Sequence, residues 1–429
     1  MTEHTSIRVA VIGAGIVGAS VIEQLAAHAA DLQSRVGLPI ELVGVGVRDA
    51  SKSRAGINPA LVTTDVVGLA SRDDVDIVIE LMGGTTDAAD VVRAALARGA
   101  SVVTANKALI AVEGVALHKL ADNSGADLYY EGAVAGAIPL LRPLRESFVG
   151  DHITKVLGIV NGTTNFILTQ MTDENLSYAE ALAQAQALGY AEADPTADVS
   201  GQDSAAKAVI LARLAFHADI DVSRVSVEGI ENVSIQDIEA AKAMGFAIKL
   251  LAVAELTPDE AGVVVRVHPT LIPADHPLAS VRGPFNAVFV SARAAGDVMF
   301  YGRGAGGNPT ASAVVGDLVT VARNIASGSR GFSVTPYADL ATRELGEGRT
   351  SYYVNVQVAD EPGVLATVAT AFADNGVSIQ VVRQDGAADN ASLVLRTHIA
   401  TDAALSRTVE TLRSLPAVRS IVGVMRVEG

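Results

Sequence analysis

Between Gly189 and Lys207 the chain sets Glu192, Asp194, Asp198 and Asp203 beside a single lysine, Lys207. Four carboxylates crowded against one ammonium make a site for a small charged substrate. The lysine meets a substrate oxygen, and the carboxylates hold an ammonium or a hydroxyl. Ser200 followed by Asp203 reads as a capping box, which puts Asp203 and Lys207 one turn apart on the same helical face. Taken alone, the pattern fits equally well a helix cap with an ordinary i,i+4 ion pair.

A second chemistry-bearing stretch lies near the N-terminus. Ile7 to Ile12 is a short apolar strand, followed by Gly13-Ala14-Gly15-Ile16-Val17-Gly18 and then by Val21, Ile22, Leu25 and Ala26 at helical spacing. In this context the glycines form a dinucleotide fingerprint. The first permits the tight turn, the second lets backbone N–H groups approach a pyrophosphate, and the third lets helix pack on strand. The next strand, Glu41 to Val47, ends in Arg48 rather than an acid, with Asp49, Lys52 and Arg54 close behind. A basic residue there suits the extra phosphate of NADP, so NADP is the preferred cofactor, and Asp49 keeps NAD open.

The elements that must position these residues follow as a βα series. Strands are expected at Asp76 to Leu81, Ser101 to Ala105 and Leu128 to Glu131, with a helix at Asp90 to Arg98. This series predicts an α/β class fold with a parallel, doubly wound, Rossmann-like sheet, and ligands at the carboxyl ends of its strands. Lys107 falls at such an end, as a ligand contact or a solvated charge. Glu131 to Pro139 is small and glycine-rich. Its one carboxylate and its irregularly spaced carbonyls suit a hard cation, and close backbone packing explains the same residues.

Beyond Pro139 the strand Lys155 to Val160 leads into Asn161-Gly162-Thr163-Thr164-Asn165, whose free N–H groups suit a carboxylate at a helix N-terminus. A helix from Tyr178 to Leu188 delivers the acidic segment. Gly302 to Thr310 is a glycine-rich loop, or hinge, before a helix at Ala311 to Arg323 that is expected to return to the first domain. Tyr352 to Val427 then reads as strand, helix, two strands, helix and strand, the ferredoxin-like order. The expected division is 1–138 with 305–325 returning to it, 139–304 for substrate and dimerisation, a linker at 326–350, and a final domain at 351–429.

Charge and composition narrow the class of partner. The net charge is −16, which argues against nucleic acid and anionic membranes. There is no cysteine, so disulfides and thiolate chemistry are excluded. Met1 to Ser6 lack a basic leader region, and no apolar run reaches ~18 residues, so a cytoplasmic protein with no membrane partner is expected. His268 and His276 lie among prolines without metal-ligand spacing and read as structural.

Together these motifs resemble homoserine dehydrogenase in its longer bacterial form with a C-terminal ACT domain, over essentially the whole chain. The likeness is most specific in Tyr190-Ala191-Glu192, Asp194-Pro195, Asp203 and Lys207, with support from Asn161 to Asn165 and Thr104-Ala105-Asn106-Lys107. It implies reduction of L-aspartate 4-semialdehyde to L-homoserine, on the way to threonine, methionine and isoleucine. By matching position, Lys207 is the proton donor and Lys107 a second relay group near the nicotinamide. Glu192 and Asp203 hold substrate, Asp198 supports them, and Gly162, Thr163 and Tyr190 line the amino-acid end. Glu131, with the carbonyls of Val134, Gly136 and Ile138, matches a sodium site, and Gly307 meets the cofactor beside Gly13, Gly15, Ile16, Val17, Gly18 and Arg48. In the reverse direction the lysine must be deprotonated, so homoserine oxidation is expected to favour alkaline pH.

The ACT likeness rests on Asp360 to Leu365 and Asn375 to Ser378. It implies threonine as effector and pairing between subunits of a homo-oligomer, dimer or tetramer, or else a dimerisation module alone. Two rival readings remain: a non-catalytic regulator that binds NADP and an amino acid, and a dehydrogenase of a related amino-acid aldehyde.

Overall fold

The computed structural model describes residues 5–54, 56–334, 336–385 and 391–429. The leader reading at Met1 to Ser6 therefore falls mostly outside the described residues. Contacts group the chain into two units, one of residues 1–153, 209–222 and 286–338, the other of 154–208, 223–285 and 339–429.

In the first unit six strands form a parallel sheet in the order β3-β2-β1-β4-β5-β6, built from β1 (Ile7–Ile12), β2 (Ile40–Gly46), β3 (Val62–Thr63), β4 (Ile77–Glu80), β5 (Ser101–Thr104) and β6 (Leu128–Tyr129). The order reverses direction beside β1, which is the doubly wound topology. The near-continuous apolar runs explain why: β4 is buried at every residue and β1 at all but Arg8, as strands covered on both faces must be. Helices α1 (Ile16–Ala27), α2 (Ala29–Val36), α3 (Val66–Ala70), α4 (Thr86–Ala97) and α5 (Lys107–Ser124) supply the crossovers. The late helix Gly307–Ser327 lies in the same unit and buries Ala311, Val314, Leu318, Val321 and Ala322 in the core with β1 and α1. That spacing is one apolar stripe of a helix, and each Val or Leu so buried contributes roughly 1.5–3 kcal/mol.

In the second unit one sheet holds, in order, Ile153–Ile159, Phe246–Leu256, Gly262–Pro273, Val418–Val427, Arg349–Val358, Ser392–Thr397 and Ile379–Asp385. Residues 349–427 follow the ferredoxin-like order, with both helices, Val364–Asp374 and Asp402–Ser414, packed on one core. The last strand also pairs in parallel with Gly262–Pro273, through Thr270 with Arg426 and Leu271 with Val427. The segment expected to be a linker is partly docked as well, since Ala341 and Thr342 pair with Gly262 and Val263. A Ser/Gly-rich composition signalled flexibility, but a buried Thr342 and two ladder positions outweigh it.

Candidate functional site

The glycine motif builds its turn by close approach. Gly13 has φ +101°, and a Cβ there would run into the Leu81 carbonyl; a Cβ on Gly18 would overlap the Gly13 carbonyl oxygen. Gly15 caps α1 without a side-chain hydrogen bond, and Ile16 in the first turn is 81% exposed. The first N–H groups of α1 therefore face an open cleft, the arrangement that receives a phosphate. Val17 is half-buried and packs on the core, which fixes the helix angle.

The cleft has a volume of about 590 Å³ and is lined by Gly13, Gly15, Arg48, Asp49, Lys52 and Arg54, among others. Asp49 does not present an idle carboxylate to it. Its Oδ1 accepts from the Ser51 N–H at 3.0 Å and from Ser51 Oγ at 2.6 Å, and these bonds hold its pKa below the ordinary value. Arg54 is tied to the same turn, donating to the carbonyls of Lys52 and Asp49 at 2.8 and 3.0 Å.

Across the cleft the loop after β4 is braced by Glu80, which is fully buried. Its carboxylate accepts from the N–H groups of Met82 and Gly83 at 2.7 and 3.3 Å and from the Thr104 hydroxyl at 2.6 Å. Thr104 in turn receives the Asn106 N–H, and Asn106 caps α5 by accepting from the Leu109 N–H. Lys107 is the first residue of that helix and is half-buried. An acid ending an apolar strand was the available signal for Glu80, and the sequence reading passed over it. Gly307 starts its helix against α1: a Cβ there would lie 2.8 Å from Ile16 Cγ2.

The turn proposed as a cation cage needs one correction. The Glu131 carboxylate accepts from the N–H groups of Leu140, Leu141 and Arg142 at 2.5, 2.7 and 2.8 Å, so it caps the helical segment that follows. A carboxylate engaged by three donors is a poor cation ligand, which leaves main-chain carbonyls as the donor set. Ala135 and Gly136 have φ of +57° and +50°, and the turn's own hydrogen bond uses the Ala135 carbonyl rather than those of Val134, Gly136 or Ile138. Such carbonyls fit a hard cation. Close packing holds there too, because a Cβ on Gly136 would meet the Gly304 carbonyl. Among the described residues no group of three or more acidic or histidine side chains could hold a metal. Asp317 supports the turn, accepting from the Glu131 N–H at 2.7 Å and from Arg142 at 2.6 Å. Burial first, and then Glu131, push its carboxyl up to about 7.

In the second unit the acidic segment sorts into roles. Asp203 and Lys207 face each other at 2.7 Å, one turn apart, and Lys207 also donates to the Val160 carbonyl at 2.7 Å. Asp198 enters through Asn161, whose amide donates to Asp198 at 2.7 Å and to Asp203 at 2.9 Å. Asp194 is no part of this cluster. It accepts from the N–H and hydroxyl of Thr196, bonds that hold its pKa low. Glu192 is exposed and joins none of the cluster's hydrogen bonds; its main-chain carbonyl accepts from Gln186. Ser200 likewise ends the short helix Thr196–Val199 with helical dihedrals and is not the start of a capping box, because Gly201 at φ +86° breaks the chain before Gln202.

The Asn161 to Asn165 motif opens the helix Gly162–Asp173, with Asn161 as N-cap on the Thr164 N–H at 2.9 Å. Thr163 donates to the Tyr190 carbonyl at 2.6 Å, and the Tyr190 ring lies 4.8 Å from that of Phe166. Gly162 leaves room for the Pro284 carbonyl, which a Cβ would approach to 2.8 Å. Lys249, also passed over, is buried and donates to Asn165 and to the Val281 carbonyl; burial, then Arg282, lower it to about 8. His268 is buried beside Arg266 and Thr270 and held uncharged by burial, and His276 caps a turn at Leu278, so neither shows a ligand's role.

The homoserine dehydrogenase family model matches residues 139–319, the homoserine dehydrogenase NAD-binding domain matches 13–131, and the ACT domain matches 352–417. The chain is 49% identical over 427 residues to a homoserine dehydrogenase of Corynebacterium glutamicum, covering 99% of this chain and 96% of that one. A solved homoserine dehydrogenase from Thiobacillus denitrificans superposes with a TM-score of 0.92 at 36% identity, covering 99% of this chain and 98% of that one. A hyperthermophilic archaeal homoserine dehydrogenase solved in complex with NADPH superposes with a TM-score of 0.63 at 25% identity, covering 74% of this chain and 97% of that one.

Proposed function

Because the chain belongs to the homoserine dehydrogenase family and is an NAD(P)-dependent oxidoreductase, we propose that it reduces L-aspartate 4-semialdehyde to L-homoserine with NADPH, with Lys207 as the proton donor. The observation that carries this reading is the commitment of the Lys207 ammonium. Two of its three N–H bonds go to Val160 O and Asp203 Oδ2, which leaves the third for a ligand oxygen. The bound nicotinamide supplies a hydride to the aldehyde carbon. As charge grows on the oxygen, Lys207 stabilises it and gives up a proton, while Asp203 keeps the ammonium in place. Asp198, Glu192, Gly162, Thr163 and Tyr190 are proposed to hold the amino-acid end. Lys107, the first residue of α5 after the strand Ser101–Thr104, is proposed as the relay group. The test is turnover of the purified protein with this aldehyde, using a labelled cofactor as described below. The product would feed threonine, methionine and isoleucine synthesis in the cytoplasm; among the described residues no helix is long and apolar enough to cross a membrane.

For the cofactor, NADPH is favoured by three cations at the cleft rim and by an Asp49 carboxylate already engaged by Ser51. Arg48→Ala is expected to weaken NADPH binding about tenfold, roughly one charge-assisted hydrogen bond, and to leave NADH binding unchanged. Equal losses for both nucleotides would remove Arg48 from phosphate recognition. The NADPH complex of the archaeal relative supports the same choice. Sodium at the carbonyls of Glu131, Val134, Gly136 and Ile138 is proposed as a structural cation.

Residues 1–138 with 305–325 are proposed as the nucleotide domain, 139–304 as the substrate and dimerisation domain, and 351–429 as a regulatory domain of a homo-oligomer, with threonine as effector. Threonine added to the reduction assay is expected to slow it. A rate unchanged at saturating threonine, with no heat of binding in calorimetry, would leave 351–429 a structural module.

A further inference from the structure

Asn161 is 5% exposed, and every hydrogen-bonding position of its side chain is used. The carbonyl oxygen accepts from the Thr164 N–H at 2.9 Å and lies 3.1 Å from the Thr164 hydroxyl. The amide nitrogen has two N–H bonds, one directed to Asp198 Oδ1 at 2.7 Å and the other to Asp203 Oδ2 at 2.9 Å. The orientation of the amide is therefore determined, since a flip would turn its oxygen on two carboxylates. It also brings two like charges to one nitrogen, and Asp203 Oδ2 is the oxygen that receives Lys207. The neighbouring residue, Val160, supplies the other acceptor of Lys207. The end of one strand thus controls the lysine from both sides, by a main-chain carbonyl and through an amide.

We propose that Asn161 is a positioning residue for the reaction: its amide, locked by its own helix cap, sets the spacing of Asp198 and Asp203 and so aims the Lys207 ammonium. This rests on the function proposed above. Without the donor, the two carboxylates repel and Asp203 draws Lys207 from its line. With the donor in place, Lys207 keeps one fixed direction for its remaining N–H. A donor pair shared between two carboxylates is a task that neither serine nor aspartate can perform, although both can cap a helix.

The two roles of Asn161 separate by substitution. Asn161→Asp and Asn161→Ser keep an acceptor for the Thr164 N–H, whereas Asn161→Ala removes it; Asn161→Asp and Asn161→Ala both remove the donor. The expected result is a kcat for aldehyde reduction that follows the donor. It falls by about 10²-fold in Asn161→Asp and Asn161→Ala, and less in Asn161→Ser, whose hydroxyl still offers one O–H. NADPH affinity is unchanged in all three; the melting temperature falls in Asn161→Ala through the lost cap and in Asn161→Asp through a third carboxylate beside Asp198 and Asp203. An Asn161→Asp enzyme with the wild-type kcat, beside an impaired Asn161→Ala, would reduce Asn161 to a helix cap and overturn the inference while the function stands. Wild-type protein that does not turn over the aldehyde would overturn the function and the inference with it.

Discussion

Replacing Lys207 by alanine is expected to lower turnover by ~10²–10⁴-fold, the usual contribution of a positioned general acid, while NADPH affinity stays at the wild-type value. The asymmetry follows from where the groups sit. The nucleotide is proposed to bind in the cleft of Gly13, Gly15 and Arg48, and Lys207 lines no part of that cleft. Its side chain and that of Asp203 are only 11% and 9% exposed, so the substitution leaves a largely buried carboxylate without its lysine partner. Some loss of thermal stability accompanies the loss of rate. Steady-state rates read beside fluorescence titration with NADPH separate the two effects. Comparable losses in rate and in NADPH affinity would argue against the donor role.

The second large effect is expected at Arg266, which is 1% exposed and pairs with Glu255 at 2.6 Å and Glu428 at 2.5 Å. Lys155 pairs with both of these carboxylates as well, so two cations and two anions balance inside the sheet of the second unit. The cluster ties both ends of the ferredoxin-like segment to that sheet, because Glu255 also accepts from the Arg349 N–H at 3.3 Å and Glu428 follows the last strand. Arg266→Met removes one of the two cations that balance these carboxylates and is expected to cost roughly 3–5 kcal/mol, read by urea unfolding. The cost depends on pH in a definite direction. Burial pushes the Glu428 carboxyl up, but Arg266 and Lys155 outweigh burial and hold it at about 2, below its ordinary 4.5. A depressed acid contributes stability that is present above 4.5 and is lost as pH falls toward 2. The deficit of Arg266→Met relative to wild type should therefore shrink through that window. A deficit that stays constant from neutral pH to 2 would show that the cluster's charges contribute nothing.

Much of this was legible in the sequence because local chemistry and global fold agree. Gly13 and Gly18 stand where a Cβ would strike backbone, and the strands of the first sheet are apolar runs ended by glycine or polar residues. The spacing of Asp203 and Lys207 gave their pairing directly. Less legible were contacts between residues far apart in the chain. Nothing near Asn161 indicates that its amide reaches 37 and 42 residues onward to Asp198 and Asp203. Arg266 and Glu428 are 162 residues apart and look like ordinary charges until the sheet buries them. Carboxylate counts misled for a related reason: Asp194 and Glu131 satisfy nearby N–H groups, a local use of an acid that composition does not distinguish from ligand binding.

The proposed reaction is tested most directly by following label from NADPH carrying deuterium at the transferable C4 position into the product formed from L-aspartate 4-semialdehyde. The expected product is L-homoserine with a single deuterium on its hydroxyl-bearing carbon, formed at the rate at which NADPH absorbance falls. Unlabelled product, or NADPH that binds to the folded protein and is not consumed with this aldehyde, would contradict the reaction.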